Sequence, residues 1–269
     1  MAVKMFVTDL DGTLLNKEHR ISDGNKKAVQ EAVDAGVVVT IATGRMYESA
    51  LPYARELGVD VPIITYNGAL IRSAAGKEYF SSYLAEQDCR DILDFCTEMG
   101  WYVQLYSDGV LYFAEETPEA QAYEAAAGVR GRSVGRQGLC ERCVHVPKML
   151  VILPDASMTD GAAHRLGEAF AGRITAVKSD PHYIEIIKPG VTKASALRQL
   201  AQLLDIAPEE TMAIGDSNND LPMLKAAGRS VAMGNAGPDI KAAADYETAD
   251  CNADGVAKAI RRYVLGGED

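Results

Sequence analysis

The 269-residue chain contains no apolar stretch approaching the ~20 residues that a membrane helix requires. Its opening, MAVKMFVTDL, passes straight into a strand-like run with no signal-peptide layout, so cytoplasmic residence without membrane attachment is expected. Cysteine is scarce. Cys89, Cys96, Cys140, Cys143 and Cys251 are odd in number, and a chain this long does not need disulfide staples. Basic charge is also short, with 27 Lys and Arg against 38 Asp and Glu and a net charge of −11. That balance argues against nucleic acid or an anionic membrane surface as partner. An anionic substrate would then need local cations, either a placed lysine or a metal held by clustered carboxylates.

Several familiar sites are missing too. Cys140-Glu141-Arg142-Cys143 is a CxxC with no second pair and no nearby histidine to complete a zinc site. His19, His145, His164 and His182 are scattered without metal-ligand spacing. The stretch GNAGPD (234–239) lacks the GxGxxG spacing of a dinucleotide loop. There is no internal repeat and no low-complexity segment. The stretch 129–143, with Arg130, Arg132 and Arg136, reads as a solvated, glycine-dotted loop.

What is present is a core-forming composition, 48% hydrophobic with 24% charged. KMFVT (4–8), VVVTIA (37–42) and PIITY (62–66) are short apolar strands separated by helical segments. Ser22 is placed to cap a helix running to Asp34, with Ala28, Val29, Ala32 and Val33 on its apolar face. Continuous apolar strands alternating with helices predict a parallel sheet covered on both faces. From about residue 78 the strands alternate apolar and polar, and the middle block predicts an α+β module with an open sheet. Parallel β/α resumes near 190, with TMAIGD (211–216) and SVAMG (230–234) as strands. The expected organisation is an α/β core of residues 1–81 and 186–269, Rossmann-like, interrupted by a second domain at 82–185.

Ligands of open α/β sheets bind at the carboxyl ends of the strands. Those ends here are Asp9-Leu10-Asp11-Gly12-Thr13, Thr43-Gly44-Arg45, Asn67-Gly68 and Gly215-Asp216-Ser217-Asn218-Asn219-Asp220, with Lys193 opening the helix before the last. At any single end such residues are ordinary turn and cap chemistry. Together they put repelling carboxylates around one place, where a cation would relieve them. Hard oxygen ligands and an anionic substrate suit Mg²⁺.

DLDGTLL, ATGR, KPGVTKASAL and GDSNNDLPML resemble, in order, the motifs of the haloacid dehalogenase superfamily of phosphatases. The closing VAMGNAGPDIKAAADYETADCNADGVAKAI is similar to its Cof-type branch, where a large α/β cap lies between the second and third motifs. The resemblance implies Asp9 as nucleophile and metal ligand. It implies Asp11 as general acid/base, with its backbone carbonyl on Mg²⁺, and Asp216 as the remaining protein ligand. Leu10, Thr43, Gly44, Lys193 and Asn219 would hold the phosphoryl group, with Asp220 supporting the loop. Two positions depart from the pattern: Ala194 follows the motif lysine where glycine is usual, and Thr192 replaces a common serine. The implied activity is Mg²⁺-dependent hydrolysis of small phosphorylated metabolites such as sugar phosphates, through an aspartyl phosphate, with the cap selecting the substrate. Such chemistry asks for charge neutralisation and in-line positioning. The alternatives are a phosphotransferase or phosphosugar mutase of the same fold, a phosphoacceptor signalling domain, and a sugar-phosphate sensor.

Overall fold

The computed structural model describes residues 2–267. Two compact units emerge. One holds the residues up to Gly44, Ala50–Phe80 and the chain from Thr192 on; the other holds Arg45–Ser49 and Ser81–Val191.

The chain begins with β1 (Met5–Thr8), α1 (Asp23–Asp34), β2 (Val38–Ile41), α2 (Tyr47–Glu56) and β3 (Ile63–Thr65). Ser22 caps α1 by accepting the Asn25 N–H, and Ala28, Val29 and Ala32 are buried on its inner face. Val33, expected on that face, is exposed, because it lies in the last turn beside the solvated Asp34–Gly36 corner. Next come β4 (Leu70–Arg72) and β5 (Glu78–Ser81), which continue from β3 as a three-stranded sheet. The short β4 was not foreseen; three residues are too few to register a period.

The second unit runs through α3 (Glu86–Glu98), β6 (Tyr102–Ser107), β7 (Val110–Phe113), α4 (Pro118–Ala127), β8 (Gly131–Ser133), α5 (Gly135–Glu141), β9 (Met149–Ile152), α6 (Thr159–Ala169), β10 (Thr175–Asp180) and β11 (Tyr183–Ile187). Its open sheet has the order β10-β11-β9-β6-β7-β8, antiparallel except for the β7–β8 pair. Leu105, Met149, Val151, Ile184 and Ile186 pack on the α3 and α6 side with Ile92, Leu93 and Leu166. Polar groups on or next to the same strands hydrogen-bond among themselves: Lys148 Nζ donates to Glu185 Oε1 at 2.9 Å and Gln104 Nε2 to the Tyr106 hydroxyl at 3.0 Å. The loop expected over 129–143 is instead the edge strand β8 and the short α5. A solvated three-residue edge and a helix that buries only Leu139 leave no hydrophobic period to read. The unit closes at Val191 and not at the expected residue 185, since β11 runs to Ile187 in its ladder with β10.

The first unit resumes with α7 (Lys193–Leu203), β12 (Thr211–Gly215), α8 (Leu221–Ala226), β13 (Arg229–Ala232), α9 (Pro238–Ala243), β14 (Tyr246–Glu247) and α10 (Gly255–Ala259). Its main sheet is parallel throughout, in the order β14-β13-β12-β1-β2, and Ala42 bridges to Ile64 to bring β3 alongside. Met5 and Val7 pack with Leu197 and Leu200 of α7 and Met223 and Leu224 of α8. Helix α1 packs against α10. The mixed α/β class with a parallel-sheet core is the one expected. No helix among the described residues is long and apolar enough to cross a membrane.

Candidate active site

Strand β1 is buried along its whole length between β2 and β12, so its carboxyl end is fixed by two parallel ladders. Asp9 follows it directly, its N–H donated to Ile214 O at 3.1 Å, and only 4% of the residue is exposed. Lys193 reaches the same point from the first turn of α7. A capping box formed by Thr192 and Ser195 starts that helix, so threonine in place of serine keeps the cap. Ala194, the other departure from the family pattern, is buried in the first turn and leaves the helix intact.

The Lys193 ammonium lies 2.6 Å from Asp9 Oδ1 and 2.6 Å from Asp220 Oδ1. The second oxygen of Asp220 accepts three donors of the β12–α8 loop, namely the N–H groups of Asp216 and Ser217 and the Ser217 hydroxyl. Asp220 is therefore spent on the lysine and on its own loop. Asp216 accepts the Thr13 hydroxyl at 2.8 Å. Asn219 donates to Asn67 Oδ1 at 3.3 Å, joining the β12 loop to the turn after β3. Thr43 is buried, with its N–H on Ile64 O and its carbonyl accepting the Asn67 N–H. Leu10 and Gly44 complete the β1 and β2 ends, Leu10 with its carbonyl accepting the Leu15 N–H at 2.9 Å. Gly12 has φ +73°, and a Cβ there would come within 2.5 Å of Asp216 Oδ2, so glycine is required for this approach.

Carboxylate oxygens of Asp9, Asp216 and Asp220 lie within 4.8 Å of one another. Asp11 stands apart: its side chain is 46% exposed, with Oδ1 3.7 Å from His19 Nδ1. Burial pushes the Asp9 carboxyl well above the ordinary carboxylate range; Lys193 pulls it back, while Asp220, Asp216 and Asp11 push it further up. Burial and then Asp220 push Asp216 up to about 6, against the Thr13 hydrogen bond and Lys193. Burial opposes the Lys193 charge, yet Asp220 and Asp9 hold the ammonium above the usual lysine range. Three carboxylates thus face one ammonium, and the surplus of negative charge is what a divalent cation neutralises. The donor set fits Mg²⁺: hard oxygens from Asp9 and Asp216, with Asp220 already committed elsewhere.

Sequence reasoning assigned no role to Thr13, Asn67 and Ser217. Each lies within a strand-end segment noted above, and each carries a hydroxyl or amide, the only signal available. The CxxC does not build a site: Cys140 and Cys143 are free thiols, and Cys143 Sγ donates to Leu139 O. Among the described residues, the aspartate cluster is the one grouping of His, Cys, Asp and Glu close enough to hold a metal.

The family profile of haloacid dehalogenase-like hydrolases matches residues 6–260. A Bacillus subtilis phosphatase is 31% identical over 285 aligned residues, covering 97% of this chain and all of the relative. A second protein of that organism, a 5-amino-6-(5-phospho-D-ribitylamino)uracil phosphatase, is 32% identical, with 98% of this chain and 96% of the relative covered. Among solved structures, a subclass IIB sugar phosphatase of the superfamily superposes with a TM-score of 0.85 at 26% identity, covering 97% of this chain and 99% of its own. With the four motifs gathered at the carboxyl ends of one parallel sheet, the chain belongs to the haloacid dehalogenase-like hydrolases, in their Cof-type branch, and is a phosphoric monoester hydrolase.

Proposed function

We propose that the protein is a cytoplasmic, Mg²⁺-dependent phosphatase of small phosphorylated metabolites, sugar or sugar-alcohol phosphates foremost, acting through an aspartyl phosphate on Asp9. The observation that carries this reading is the Asp9 carboxylate, buried, held at 2.6 Å by Lys193 and close to Asp216. Burial and clamping leave that carboxylate oriented and poorly solvated, as a nucleophile should be. Asp9 and Asp216 would hold Mg²⁺ with the Asp11 backbone carbonyl, and the ion would neutralise and orient the phosphoryl oxygens. Thr43, Gly44 and the Leu10 N–H would cradle those oxygens, with Asn219 beside them and Lys193 supplying positive charge.

In the first displacement an Asp9 oxygen bonds phosphorus as the ester oxygen leaves, taking its proton from the Asp11 carboxyl. In the second, Asp11 removes a proton from water, whose oxygen attacks phosphorus and releases Asp9. Asp11 suits this exchange because its half-exposed side chain is open to solvent, while Asp9 is locked. The inserted unit, expected over 82–185 and running to Val191 in the structure, would select the organic part of the substrate. Support for the substrate class comes from the ribitylaminouracil phosphatase and the sugar phosphatase among the relatives.

The test is a panel of phosphorylated metabolites assayed with Mg²⁺ and with excess chelator, joined to intact mass measurement after rapid quench. Turnover should vanish on chelation and return with Mg²⁺. Asp11→Asn should slow hydrolysis of a sugar phosphate by ~10²–10⁴-fold. With 4-nitrophenyl phosphate, whose leaving group needs no proton, the same variant should accumulate one phosphoryl group on Asp9. Full turnover in chelator, or Asp11→Asn acting like the parent on both substrates, would overturn the reading.

A further inference from the structure

The stretch GNAGPD after β13 takes no part in the roles proposed above, yet Asn235 reaches the β1 loop. Its Nδ2 donates to the Gly12 carbonyl at 2.8 Å, and its Oδ1 accepts the Cys251 N–H at 3.0 Å. The turn at Cys251–Ala253 is itself fixed, since the Asp250 side chain accepts the Asn252 N–H. Asn252 Oδ1 in turn accepts the Lys17 N–H at 3.0 Å, a second tie to the same loop. On its other side the loop is held by Asp216, which accepts the Thr13 hydroxyl and crowds the Gly12 Cα.

The difference between the two motif aspartates gives this brace a purpose. Asp9 is buried and clamped by Lys193, whereas the Asp11 side chain is 46% exposed, with Oδ1 3.7 Å from His19 Nδ1 at the surface. Its placement also depends on the backbone that carries it, and the Gly12 carbonyl is the next acceptor along that backbone. We propose that Asn235 is a positioning residue for Asp11: by holding the Gly12 carbonyl it keeps the Asp11 carboxyl in line for proton transfer. This rests on the acid/base role proposed for Asp11. An amide is the group the place requires, because it must donate at one end and accept at the other. An aspartate there keeps the acceptor for Cys251 and loses the donor for Gly12.

The experiment places Asn235→Ala and Asn235→Asp in the parent and in the Asp11→Asn background, all loaded with Mg²⁺. Asn235 is exposed, and thermal unfolding should confirm that each variant folds. In the parent, kcat for a sugar phosphate should fall about 10- to 100-fold, the range that slight misplacement of a reacting group produces. KM should stay within about threefold, as befits a contact made away from the substrate. In the Asp11→Asn background, either substitution should change the rate of Asp9 phosphorylation by 4-nitrophenyl phosphate less than about twofold, because residues acting as one unit are not additive. An unchanged kcat in the parent would overturn the proposal, as would an equal loss in both backgrounds, which marks a general structural role. If Asp11→Asn itself has no effect, the acid/base reading fails together with this one. An enzyme that needs Asp11 but ignores Asn235 refutes only the present inference.

Discussion

Replacing Lys193 with methionine keeps a side chain of similar length and removes the ammonium that both Asp9 and Asp220 contact. The three side chains are 0%, 6% and 0% exposed, so water does not make up the loss. Breaking a buried ion pair from one side typically destabilises by about 3–5 kcal/mol, since a charge is left without its partner. Two contacts share one ammonium here, and the figure is not doubled. Part of it is recoverable, because Asp9 is already pushed up by burial and takes a proton once the lysine has gone. A carboxyl whose folded pKa is raised stabilises the fold below its unfolded pKa and loses that contribution as pH rises through the folded value. The damage in Lys193→Met should therefore grow as pH rises above the ordinary carboxylate range.

A second substitution separates stability from chemistry. Asp220→Asn in the Lys193→Met background removes a stranded buried charge while keeping an oxygen for the Asp216 and Ser217 donors. Urea unfolding should show most of the lost stability restored. Turnover of 4-nitrophenyl phosphate should not return, staying ~10²–10³-fold below the parent, as is usual when a preorganised charge-stabilising group is lost. A Lys193→Met variant within about 1 kcal/mol of the parent would contradict the burial argument. Recovery of activity together with stability in the double variant would show that Lys193 serves only the fold.

The parallel core was legible because β1, β2 and β12 are buried on both faces and read as continuous apolar runs. The place of the site was legible for a related reason: the strand order puts the carboxyl ends of these strands side by side. The contrast between Asp9 and Asp11 was not. They stand two residues apart, yet just past the end of β1 one carboxylate is buried and the other exposed. Contacts made to backbone atoms were equally hidden. Asn235 meets Gly12 across 223 positions, and every residue offers such a carbonyl, so side-chain types give no clue to the partner. The buried Lys148–Glu185 pair of the second unit is likewise assembled only by the β11–β9 register.

Gly12→Ala should be severely impaired, because a Cβ would stand 2.5 Å from Asp216 Oδ2 at a φ that alanine adopts only with strain; the expected signature is weakened Mg²⁺ binding, read by calorimetry, and wild-type affinity would refute it. Gly68→Ala places a Cβ 2.3 Å from the Thr192 backbone carbonyl at φ +104°, so the start of α7 must move; thermal stability and kcat should fall together, and an unaffected kcat would mean that Lys193 is not positioned through this contact. The last prediction concerns pH in the metal-free protein. Burial, and then Asp220, raise Asp216 from an ordinary value of 3.8 to about 6, a difference equivalent to about 3 kcal/mol. The folded protein then binds more protons than the unfolded chain between those values. Stability from this group is complete below the unfolded pKa and is lost as pH rises through about 6. Asp91, Asp155 and Asp250 are lowered by their hydrogen bonds, so they act in the opposite sense but below the ordinary carboxylate pKa, outside this window. Thermal unfolding in chelator should therefore show the parent losing stability from about pH 4 to 6 relative to Asp216→Asn, which has no carboxyl to ionise there. Mg²⁺ should abolish the difference in slope by stabilising the ionised carboxylate. Parallel curves for the two proteins in chelator would show that the Asp216 carboxyl ionises in the fold as readily as in the unfolded chain, and the electrostatic case for a cation at this cluster would fail with it.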